Sequence, residues 1–104
     1  MPKYDKLVRD EIPRVVRDNG ETPVTRVVEG EAYRRRLREK LCEEAAEFLE
    51  SDGDPEEFAD VLEVLDAIRA AETFEEGEVE RLRETKADER GRFERGVVLE
   101  RVEK

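Results

Sequence analysis

The sequence has no histidine, no tryptophan and a single cysteine. Each absence removes a class of chemistry. Without histidine there is no His-ligated zinc site and no Ser-His-Asp triad. Cys42 cannot form an intrachain disulfide and has no imidazole to serve as its base. Among helix-forming neighbours it reads as a small, semi-buried apolar side chain rather than a catalytic thiol. Aromatic residues are scarce, and Tyr4, Tyr33, Phe48, Phe58, Phe74 and Phe93 complete the set. Only 37% of the 104 residues are hydrophobic, so a lone domain of this size buries a modest core with a thin stability margin. Burial is gained by self-assembly, and a homodimer or higher homo-oligomer is expected. No apolar run approaches the length that spans a bilayer, and the N-terminal residues lack a signal-peptide pattern. The expectation is a soluble, cytoplasmic, single-domain protein over residues 1–104 with no membrane partner.

What the sequence has in excess is acid. Charged residues make up 48% of the chain, with 30 acidic against 20 basic side chains and a net charge of −10. That balance excludes general nucleic-acid binding, which needs cations to replace the counterions condensed on a phosphate backbone. A binder of free phosphates would instead need a local basic cluster or metal ions. Fifteen of the basic residues are Arg and five are Lys. This bias suits a high-salt cytoplasm, where screening blunts self-repulsion, and suits an ordinary acidic protein equally.

Helical signals dominate the chain. Pro13 fits a first helical turn and Asn19-Gly20 a stop, giving a short helix over about 11–18. Tyr33, Leu37, Leu41, Ala45, Phe48 and Leu49 recur at helical spacing and predict a helix over about 31–50. The run Ser51-Asp52-Gly53-Asp54-Pro55 ends it, with Asp54 as N-cap and Pro55 as first residue of a helix over about 55–71. That helix is expected to bury Phe58, Val61, Leu62, Leu65 and Ile68. So short a connection implies an antiparallel helical hairpin. A weakly amphipathic fourth helix over about 75–89, capped by Thr73, follows. The β-branched segments 22–28 and 97–102 read as short strands, and mutual pairing would satisfy both open edges. The fold class expected is therefore mainly α, a helical bundle with a small two-stranded β element.

The acids of the hairpin carry the chemistry. Residues three apart share a helix face, so Glu44 pairs with Glu47 and Glu57 with Asp60, and folding about residues 52–53 brings the two pairs level. Four carboxylates meeting near a core repel unless cations lie between them, and Mg²⁺ prefers such oxygen ligands. Glu63 and Asp66 have the same spacing. At ~100° per residue, Glu57 lies about 75° from the centre of the third helix's apolar stripe and Asp60 about 135°, while Glu63 points almost opposite it. In a chain with 30 acids, such pairs also arise by chance as solvated helix faces.

The pattern Glu43-Glu44-x-x-Glu47 followed by Glu57-x-x-Asp60 resembles the EExxE…ExxD signature of the all-α nucleoside triphosphate pyrophosphatases, the MazG-like superfamily that includes phosphoribosyl-ATP pyrophosphohydrolase. The segments Lys6-Leu7-Val8-Arg9-Asp10 with Ile12-Pro13, Pro23-Val24-Thr25-Arg26, and Arg90-Gly91-x-Phe93 are similar to one small branch of it. The nine residues between Glu47 and Glu57 are fewer than usual there. The resemblance implies Mg²⁺ as cofactor, held by Glu44, Glu47, Glu57 and Asp60, with Glu43 and Glu44 catalytic. Glu43 would orient or deprotonate the attacking water, or be an exposed helix acid. The implied reaction is NTP + H₂O → NMP + pyrophosphate, on a nucleoside triphosphate of non-standard type.

A triphosphate enzyme of this net charge needs local cations. Lys6, Arg9, Lys86 and Arg90 are the candidates for substrate phosphate, with surface ion pairing the alternative. Arg92 and Arg95 read as surface residues, and Arg34-Arg35-Arg36 as a solvated helix face. Two other functions fit the same residues: phosphoribosyl-ATP hydrolysis in histidine biosynthesis, and a non-catalytic acidic helical interaction module.

Overall fold

The computed structural model describes residues 4–104 and is all-helical, with no strand among the described residues. The helices are α1 (Ile12–Asp18), α2 (Gly30–Glu50), α3 (Pro55–Ala71) and α4 (Glu78–Arg90). They fall into two compact units, Met1–Glu72 and Thr73–Lys104.

In the first unit α2 and α3 form the expected antiparallel hairpin. Its turn braces itself. Ser51 Oγ donates to the Phe48 carbonyl at 2.8 Å and accepts from the Asp54 amide at 3.1 Å. Asp52 and Gly53 take positive φ of 60° and 90°, a reversal that glycine makes without a Cβ clash. Asp54 then caps α3, accepting from the Glu56 amide at 2.9 Å; a cap of this kind is worth about 1 kcal/mol.

The seam between the helices follows a coiled-coil spacing. Leu37, Leu41, Glu44 and Phe48 line α2, and Glu57, Val61, Val64 and Ile68 line α3, each separated by four, three and four residues. Leu37 and Val64 are buried, and Phe48 meets Phe58 with ring centroids 5.5 Å apart. Both Glu44 and Glu57 thus hold positions where this packing calls for an apolar side chain. At the end remote from the turn, Arg38 donates to both Glu72 oxygens at 2.9 and 3.0 Å and to Glu31 at 3.1 Å. Arg34 joins the network through Glu31 at 3.0 Å and Glu72 at 3.7 Å.

Several expectations need correction. Phe58, Leu62 and Leu65 are not buried but 48%, 47% and 42% exposed, and Val64 is buried instead. Helix α3 is apolar on two adjacent faces, and α2 covers only one. Cys42 is exposed. Segments 22–28 and 97–102 form no strand. They belong to different units, Pro23 lacks an amide donor, and β-branched composition alone cannot hold a ladder without a partner edge. Val24, Val97, Val98, Leu99 and Val102 are all exposed. In the second unit α4 begins at Glu78 with Gly77 (φ 76°) at its cap position, rather than near residue 75 with Thr73 as cap, and its C-cap amide, Gly91, donates to the Ala87 carbonyl at 2.8 Å.

Candidate metal centre

The turn end of the hairpin gathers carboxylates. Ligand oxygens of Glu44, Glu57 and Asp60 all lie within 4.8 Å of one another. Glu44 is buried, at 7% exposure, and Glu57 and Asp60 are half-buried. One oxygen of Glu44 and one of Glu57 are buried without any hydrogen-bond partner. A buried, unpartnered carboxylate oxygen is costly, and two beside each other are costlier still. Burial pushes the Glu57 carboxyl up, with the charges of Asp60 and Glu44 adding to it. The Glu44 charge, and a hydrogen bond between the two side chains, push exposed Glu47 up as well.

Three cations partly offset these acids. Lys40, one turn before Glu44, stands 3.1 Å from Glu44 Oε1 and 3.3 Å from Glu43 Oε2. Lys6 Nζ donates to Glu43 Oε1 at 2.9 Å, and that bond holds the Glu43 carboxyl below the usual range. Arg9 Nη2 donates to Asp60 Oδ1 at 2.7 Å, which raises the guanidinium further. Five carboxylates against three cations leave two negative charges over. An all-carboxylate oxygen set with orphaned lone pairs and that excess fits a hard divalent ion. Mg²⁺ keeps several waters of its own, so three or four protein oxygens suffice.

The sequence-derived candidates therefore divide. Glu44, Glu57 and Asp60 converge; Glu47 stays outside the closest trio, near enough for the Glu44 charge to raise its carboxyl. Glu43 turns to Lys6 and Lys40. Lys6 and Arg9 reach the acids themselves. Lys86 and Arg90 belong to α4 in the other unit. Glu63 and Asp66 are exposed, in keeping with the wheel. Lys40 is a site residue that the sequence reading did not single out, although its i,i+4 placement before Glu44 was the available signal. The Arg34-Arg35-Arg36 run is more than a solvated face. Arg36 donates to the Asp5 carbonyl at 2.8 Å and to its carboxylate at 3.2 Å, and so anchors the segment that carries Lys6 and Arg9.

Fold and site together define a helical hairpin with a cluster of carboxylates at its turn end that could hold a cation. Among curated proteins, the chain is similar to one of Mycolicibacterium smegmatis (strain ATCC 700084 / mc(2)155) described only as an uncharacterized protein. The two are 45% identical over 47 residues, which cover 45% of this chain and 48% of that protein. The chain thus spans about half the length of the curated relative it matches. No protein-family profile matches the chain, and no solved structure does. No described helix is long and apolar enough to cross a membrane.

Proposed function

We propose that the chain is a Mg²⁺-dependent nucleoside triphosphate pyrophosphohydrolase of the MazG-like superfamily, acting on non-standard nucleotides to give the monophosphate and pyrophosphate. The observation that carries this reading is the buried, unpartnered Glu44 oxygen set against Glu57 and Asp60 at a hydrophobic seam position. A residue there that merely conferred solubility would face water, and this one does not.

Glu44, Glu57 and Asp60 would hold the ion, with Glu47 as a fourth oxygen donor. When bound, Mg²⁺ would neutralise triphosphate charge and polarise the scissile anhydride. Lys6 and Arg9, which together with Lys40 bring positive charge to the acids, would take the substrate's phosphates. Glu43, with one oxygen on Lys6 and the other on Lys40, orients those cations.

The protein would work as a homo-oligomer. Phe58, Leu62 and Leu65 recur at i, i+4 and i+7 and stay about half exposed, while only Leu37 and Val64 are buried apolar residues among those described. A second copy covering that face would enlarge the core, and sedimentation would report a dimer or larger species.

Incubating the full chain with Mg²⁺ and a panel of triphosphates, with phosphoribosyl-ATP alongside, tests the reaction. Pyrophosphate released in step with monophosphate, and absent from Glu57→Gln, is the expected result. Orthophosphate as the product, or no turnover of any nucleotide, removes the reading. Preference for phosphoribosyl-ATP would move the protein to that related activity.

A further inference from the structure

Residues 5–9 cross the acid site from one helix of the hairpin to the other. Asp5, at φ 39°, is fixed by Arg36 of α2 through its carbonyl and carboxylate, and by Arg26 at 3.3 Å. Lys6 then reaches Glu43 on α2 at 2.9 Å, Leu7 and Val8 are half-buried, and Arg9 reaches Asp60 on α3 at 2.7 Å. Beyond Arg9 the chain turns at once into α1, with the Ile12 amide donating to the Arg9 carbonyl at 3.1 Å. The segment is tied at both ends and lays two positive charges onto a cluster that is otherwise too negative.

We propose that residues 5–9 are a strap whose Lys6 and Arg9 serve as built-in counter-cations, and that a divalent ion entering the Glu44–Glu57–Asp60 site displaces Arg9 from Asp60 and loosens the strap. This rests on the cation-site reading above and not on the reaction. Arg9 occupies an oxygen of Asp60, one of the three carboxylates that converge. A guanidinium and a divalent ion on one carboxylate compete for its oxygens and repel at contact distance, and Arg9, with 56% of its side chain exposed, can swing into solvent when displaced. Asp5 and Arg36, lying outside the trio, stay as the hinge. The displacement frees Arg9 as the divalent site fills, so that anion binding follows cation binding in order.

Mn²⁺ titration by calorimetry, with amide hydrogen exchange on the same samples, tests this without any turnover. Removing a competing internal cation abolishes the occupancy tax, so Arg9→Gln should bind Mn²⁺ about 3–10-fold more tightly than the wild type. In the wild type, Mn²⁺ should speed exchange of the Ile12 amide, which donates to the Arg9 carbonyl, by about tenfold while the amides of α2 and α3 stay protected. Arg14→Gln, which removes an exposed cation paired with Glu11 and Asp18 at 3.0 and 3.2 Å, should bind Mn²⁺ as the wild type does. Tighter binding without faster exchange would be charge relief alone and overturns the displacement. Unchanged or weaker binding in Arg9→Gln overturns it as well. Failure of the wild type to bind Mn²⁺ at all removes the cation site with it, which distinguishes the two ideas.

Discussion

The two ends of the α2–α3 hairpin handle charge in opposite ways. At the open end Glu72, half-buried, meets Arg38 through both oxygens and Arg34 at 3.7 Å, so opposite charges are matched. At the turn end Glu44 and Glu57 each leave an oxygen buried and unanswered, with Asp60 and Glu47 adding charge of the same sign. One end is built as a clamp. The other is left with a deficit that an external cation can fill, and a fold that only needed a stable hairpin would have placed leucine at 44 and 57.

The largest test of that contrast is functional. Glu44→Gln and Glu57→Gln should each lower Mg²⁺-dependent pyrophosphate release about a hundredfold or more, because each removes a charge from the cation site. Helical content by circular dichroism should stay intact. Glu63→Gln, on the exposed face of α3, should keep full activity. Loss of activity in that variant would move the site to the Glu63–Asp66 pair.

Next in size is the stability of the metal-free protein. Glu44→Leu completes the apolar seam of Leu37, Leu41 and Phe48 and removes a buried charge whose second oxygen has no partner. Lys40 keeps Glu43 as its partner at 3.3 Å, so the exchange should be stabilising, by about 1 kcal/mol of added apolar burial. The variant should therefore melt higher than the wild type in chelator while losing all cation binding. A lower melting point would mean that Lys40 already compensates Glu44 in full. At the open end the same logic runs the other way. Glu72→Gln strips one of two negative partners from Arg38 and Arg34, leaving Glu31, and should lower the melting point, by less than Glu44→Leu raises it. That loss should shrink in high salt, since Arg38 is half exposed.

Why the hairpin was legible and the strap was not follows from where the information lies. Helix limits come from local signals: Pro13 in a first turn, Asp54-Pro55 as cap and first residue, Gly91 as a stop. The trio of acids comes from i,i+3 spacing and a short turn, which together set their height along the bundle. Ion pairs such as Lys6 with Glu43 and Arg9 with Asp60 span 37 and 51 residues. No local periodicity encodes them, so phosphate binding and surface ion pairing both stayed open for those two cations, and Glu43 and Asp60 could not be named as their partners. The strands failed for the related reason that a strand exists only with a partner, and composition at 22–28 and 97–102 says nothing about one. Phe58, Leu62 and Leu65 misled because a wheel locates an apolar face but not what covers it.

The smallest expected effect concerns pH, and its sign separates the two kinds of carboxylate. Glu43 and Glu31 are held low by Lys6 and by Arg34, so they contribute stability above the ordinary value of 4.5, lost as acid protonates them in the folded protein. Glu57 and Glu47 are pushed above 4.5, by burial and by the Glu44 charge respectively. The folded chain then holds their protons more tightly than the unfolded one. Their contribution is present below 4.5 and fades as pH rises through the raised values. A cation at the site would offset that loss and leave the clamp unchanged. The rise in melting temperature on adding Mg²⁺ should accordingly be small well below pH 4.5, grow just above it, and level off towards neutrality. Glu57→Gln should flatten the curve, whereas Glu72→Gln should leave its shape alone. An Mg²⁺ shift that is the same across the acid range would mean that the ion binds carboxylates whose protonation differs little between folded and unfolded chains, and the turn end would no longer stand apart from the clamp.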